Sequence, residues 1–98
     1  MPKPFECSSG TYTGTGAAQS VSLGFKPKLV LMFNVTDGDC ICGMIDSMAD
    51  ATGFSIVLAV AAIAAQGITL SASGFSLGTD ALVNENAKVY SYVAVGGN

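Results

Sequence analysis

From Ser20 to Phe25 the chain alternates without a slip, with Val21, Leu23 and Phe25 on one side and Ser20, Ser22 and Gly24 on the other. A period of two sends successive side chains to opposite faces of an extended strand, and it is incompatible with an amphipathic helix. The same rhythm returns at 68–73, where Ile68, Leu70 and Ala72 alternate with hydroxyl residues. It returns again at 88–95, where Tyr90, Tyr92 and Ala94 oppose Val89, Ser91, Val93 and Val95. Glycine-bearing turns separate these segments. Short alternating runs between turns are the pattern of an all-β domain.

The remaining segments fit that class. Thr11–Thr13, between Gly10 and Gly14, reads as a short first strand. Leu29–Phe33 is an uninterrupted apolar run, which predicts a central strand covered on both faces. Asp37-Gly38 is a hairpin turn signal, and 40–45 is the returning strand. Residues 46–53 read as a polar loop, 54–60 as a strand, and the alanines of 61–66 as an irregular link with one short helical turn. The segment 74–78 is the second arm of a tight hairpin with 68–73, and 79–86 is a loop. The expectation is a compact β-sandwich or jelly-roll-like domain of about seven to nine short antiparallel strands. It is one domain over 1–98, with 1–9 as an extended N-terminal arm.

Composition narrows function. The 98 residues contain no histidine, arginine or tryptophan, and only four lysines and seven carboxylates, for a net charge of −3. Four scattered lysines cannot neutralise a run of phosphates, so no nucleic-acid partner is expected. The longest apolar run, 56–65, is half the roughly twenty residues of a spanning helix. No membrane partner is expected, and the N-terminus has no apolar signal core. Without histidine, Ser–His and Cys–His nucleophiles are excluded, and Lys26, Lys28 and Lys88 read as solvated charges. The chain is expected not to be an enzyme and to need no cofactor.

Three residue groups remain as candidates. Asp37, Asp39, Asp46 and Asp50 form an acidic cluster, but Cys40 and Cys42 stand where a calcium loop needs further oxygens. Three cysteines without histidine leave a tetrahedral zinc site one ligand short. Cys40-Ile41-Cys42 puts two parallel thiols on one strand face, about 6.6 Å apart at the usual rise and poorly placed to bond to each other. Cys7, Cys40 and Cys42 are therefore either small core residues or partners in a disulfide between copies. Tyr12, Tyr90 and Tyr92 either pack the core edge with hydroxyls at the rim or present an aromatic interface.

The segments Gly10-Thr-Tyr-Thr-Gly-Thr-Gly16, 21–30, Gly74-Phe-Ser-Leu77 and Tyr90-Ser-Tyr-Val-Ala94 resemble small β-rich virion proteins of tailed bacteriophages. The resemblance implies a structural protein, made in the host cytoplasm and resident in the virion. It implies a capsid decoration (cement) protein, a homotrimer seated on the major capsid protein and stabilising the head lattice through subunit contacts. The alternative is a tail or fibre module that recognises a host glycan or protein. A chain that reads as one domain without a stalk favours decoration. An uncharged outer surface of Ser, Thr, Gly and Ala, shared with neighbouring subunits, is expected to form the contacts.

Overall fold

The computed structural model describes residues 6–38, 40–57 and 59–96, and these form eight strands and one short helix. In chain order they are β1 (Glu6–Thr13), β2 (Gln19–Ser22), β3 (Pro27–Asn34), β4 (Ile41–Ile45), β5 (Thr52–Ile56), β6 (Val60–Ser71), β7 (Gly74–Leu77), α1 (Ala81–Asn84) and β8 (Val89–Gly96). All strands belong to one antiparallel sheet in the order β1-β8-β3-β4-β5-β6-β7-β2. The sheet curls into a nearly closed barrel. Across the seam between its edges, Tyr12 of β1 meets Phe75 of β7 edge-on at 6.5 Å, and Gln19 Nε2 of β2 donates to the Thr13 carbonyl at 3.0 Å.

The all-β class is as expected. Where two packed sheets were expected, one sheet serves, because a sheet curled on itself already sets its inner residues against one another. The alternation at 88–95 groups Tyr90 and Ala94 on one face, and that face turns inward; in the unalternating strands the structure makes the choice. Val30 and Met32 of β3, Cys42 and Met44 of β4, Phe75 and Leu77 of β7, and Tyr90 and Ala94 of β8 are all buried. Val21, Leu23 and Phe25 pack together against this core, although β2 itself ends at Ser22.

Two local expectations are corrected. Residues 6–9 do not form a free arm: they pair with β8, from Glu6 opposite Gly96 to Ser9 opposite Val93. Residues 1–5 lie outside the described residues. The alanines of 61–66 are strand rather than a helical link, since Ala61 and Ala62 pair with Ser55 and Phe54 of β5. Tertiary pairing there overrides alanine's helix preference. Beyond Ile63 the register jumps, from Gly53 opposite Ile63 to Thr52 opposite Ile68, with Gln66 at φ 59 in the intervening bulge. This bulge lets β6 leave β5 and continue onto β7.

The helix lies in the expected loop 79–86. Asp80 caps it, its Oδ1 accepting from the Leu82 amide at 2.8 Å. An aspartate ahead of an Ala-Leu-Val run was the available signal. Asn84 closes α1 and is fully buried. Its Nδ2 donates to the carbonyls of Ala17 (2.6 Å) and Gly78 (2.8 Å). Its Oδ1 accepts from the Thr15 amide (2.9 Å) and from Gln19 Nε2 (2.7 Å). The side chain thus uses its whole bonding capacity to tie the 14–18 turn, β2 and the end of β7 to one point. Replacing it strands several buried partners at once, so Asn84→Leu is expected to lose about 3 kcal/mol, read as a lowered urea midpoint.

Candidate functional site

Strand alternation also fixes what the barrel shows outward, and the outside is divided in two. On β1 the outward residues are Cys7, Ser9, Thr11 and Thr13, and on β2 they are Ser20 and Ser22. Ser20 faces Ser76 of β7, which in turn faces Thr69 of β6. This side is a field of hydroxyls.

The other side runs across β8, β3, β4, β5 and the start of β6 and is apolar. Phe33 lies between Ser91 and Ile41, Ile41 faces Ile56, and Ile56 faces Val60. In the next row Val93, Leu31, Gly43, Phe54 and Ala62 are successive neighbours. Gly43 has a definite task there: a Cβ would collide with the Phe54 ring and a Leu31 methyl. Its bare backbone lets the ring lie flat across the sheet. A third row holds Val95, Leu29 and Ile45.

The exposed large hydrophobics among the described residues lie on these strands, including Phe33 (40% exposed), Ile41 (41%) and Val60 (75%), or, for Val35 and Val57, directly after β3 and β5. Leu29–Phe33 was expected to be covered on both faces. It is central in the sheet, but among the described residues nothing covers its outer side, because a barrel has no second layer there. The Ser, Thr, Gly and Ala surface expected to form contacts is the hydroxyl half, not the apolar one. Phe33 and Ile41 stand as a ridge between two hollows. One, of about 420 Å³, reaches Ser91 and Val93; the other, of about 210 Å³, reaches Ile56 and Val57.

The rows carry no ionisable side chain. Charges sit beyond their ends, where Lys28 Nζ lies 3.8 Å from Asp46 and Lys88 Nζ 3.2 Å from Asp37. Asp39 lies outside the described residues. Among the described residues no three Cys, Asp or Glu side chains converge as a metal set, and no helix is long and apolar enough to cross a membrane. What this side can do chemically is bury apolar area against a neighbour.

The cysteines and tyrosines lie elsewhere. Cys40 and Cys42 are buried side by side, each thiol 3.7 Å from the Leu82 carbonyl, while Cys7 is exposed on β1. No disulfide joins them within the chain. Tyr12 stacks on Tyr90 at 4.9 Å and 5°, and Phe75 meets Tyr92 edge-on at 5.4 Å. The hydroxyls of Tyr12 and Tyr90 donate to the Val83 and Ala81 carbonyls of α1, at 2.7 and 3.3 Å. Tyr12 and Tyr90 therefore hold the helix over the barrel interior, while Tyr92 lies half-buried against Phe75.

No protein-family model matches the chain, and no curated protein or solved structure does.

Two outcomes follow from this placement. A thiol reagent applied to the native protein is expected to label Cys7 quickly and to label Cys40 and Cys42 only on unfolding, read by mass spectrometry. Burial raises the Tyr90 phenol to about 12, with the nearby thiols adding and the Glu85 amide opposing; burial likewise carries Tyr12, stacked on Tyr90, well above the ordinary range. An unfolded tyrosine ionises near pH 10, so above that pH the unfolded chain sheds protons that the fold retains. Stability contributed by these phenols is complete below pH 10 and declines as pH rises towards 12. Urea midpoints measured from pH 9 to 12 are expected to drop, with a shallower slope in Tyr12→Phe.

Proposed function

We propose that this chain is a non-enzymatic structural protein of a tailed-phage virion, a capsid decoration protein that stabilises the head lattice through subunit contacts. The observation that carries the reading is the apolar outer side of β8, β3, β4, β5 and β6, which is free of charge and opposed by a hydroxyl-rich side. Such a side is costly on a free molecule and useful on a component, where its burial contributes about 25 cal/mol per Å² before association costs. The composition supports the same reading, since contact by shape and apolar area needs none of the reactive groups the chain lacks. The resemblance to small phage virion proteins supplies the setting: neighbouring copies and the major capsid protein as partners, and the virion as the location.

Co-sedimentation tests it. Purified protein offered to bare phage capsids is expected to bind saturably and to raise their resistance to heat, while protein offered to host cells remains in the supernatant. Saturable binding to cells alone overturns the decoration reading in favour of a receptor-binding module.

A further inference from the structure

We propose that the apolar outer side is a self-association surface, covered in solution by the same surface of a second copy related by a two-fold axis. The proposal rests on the assembly-component reading and names the partner of that surface. Area is the first argument. At the exposures found, its large side chains offer apolar area on the order of 600 Å², the upper end of what one patch on a monomer shows. With the half-buried Leu29, Leu31 and Phe54 and the polar rim, it approaches the ~800 Å² each partner gives a stable interface.

Chemistry names the occupant. Among the described residues no other part of the surface exposes large hydrophobics, so the apolar counterpart available on a second copy is this side itself. A surface that meets itself does so across a two-fold axis, whereas a cyclic trimer needs two different patches that fit each other. Charge permits the pairing. Each copy carries a net charge of −3, yet the rows hold no ionisable group, and Lys28 and Lys88 are paired with carboxylates beyond their ends. Shape permits it as well, since the Phe33–Ile41 ridge of one copy can enter a hollow flanking the ridge of the other. A lipid surface is a poorer match, because membrane-binding faces are rich in cations. Of the described lysines, Lys28 and Lys88 are engaged by carboxylates, and Lys26 alone stands near the rows without an ion pair.

Sedimentation equilibrium of the full chain, with no capsid present, tests the proposal. The expected mass is twice the 9.9 kDa of the chain, with a melting temperature that rises with protein concentration. Ile41→Glu, which would bury an unpaired charge in the contact, is expected to raise the dissociation constant at least about 100-fold. Thr11→Lys, on the hydroxyl side, is expected to leave it unchanged. Near-ultraviolet circular dichroism of the stacked tyrosines reports whether each variant is folded; if Ile41→Glu is not, the concentration dependence of the wild-type melting temperature decides. A wild-type monomer with a concentration-independent melting temperature overturns the proposal, as does a mass of three chains or a folded Ile41→Glu that pairs like wild type. A monomer that binds only capsids, or only neutral phospholipid vesicles, also overturns it. Intact pairing without capsid binding strikes the decoration reading alone.

Discussion

The stack of Tyr12 on Tyr90 is the interaction on which the rest of the barrel depends. Its rings, 4.9 Å apart, belong to β1 and β8, the first and last strands of the chain. Tyr12 also reaches Phe75 of β7 across the seam, and both hydroxyls end on carbonyls of α1. One aromatic cluster therefore joins a sheet edge, the neighbour of the opposite edge and the cap over the interior. Asn84 performs the matching polar task from the end of the same helix, satisfying the 14–18 turn that leads into β2. Without these contacts the strands would remain an open sheet with its apolar inner side wet.

Closure has a consequence for the outside. A curled sheet has one interior, and each strand can send only alternate residues into it. β3 and β4 have apolar residues in both registers: Val30, Met32, Cys42 and Met44 fill the interior, and Leu29, Leu31, Phe33, Ile41 and Ile45 stand outside. β1, β2 and β7 place hydroxyls outside instead. The excess of apolar residues is thus concentrated on adjacent strands of the barrel, centred on β3 and β4.

Much of this was legible in the residues. The alternation at 20–25, 68–73 and 88–95 marks which side chains turn inward, because a period of two allows only two registers. The apolar run at 29–33 correctly marked a central strand, but only one of its faces is buried: Val30 and Met32 turn inward while Leu29, Leu31 and Phe33 stay on the open outer side. The alanine run and α1 were not legible. Alanine's local preference is weak enough for pairing with β5 to reverse it, and a four-residue helix is held by its cap and by tyrosines distant in sequence. The candidate site was legible as a quantity, too many apolar residues for so little charge, but not as a place.

By itself the sequence determined the all-β class, the sorting of side chains onto alternate strand faces and the absence of histidine-based chemistry, since these follow from local periodicity and from which side chains exist. Only the tertiary structure decided that one sheet closes on itself, that the tyrosines and Cys40 and Cys42 face inward, and that the surplus apolar residues gather on one side. Those are matters of strand order and register, and they depend on contacts such as β1 with β8 that join opposite ends of the chain. No local pattern encodes a pairing at that separation; it emerges when the strands are packed together.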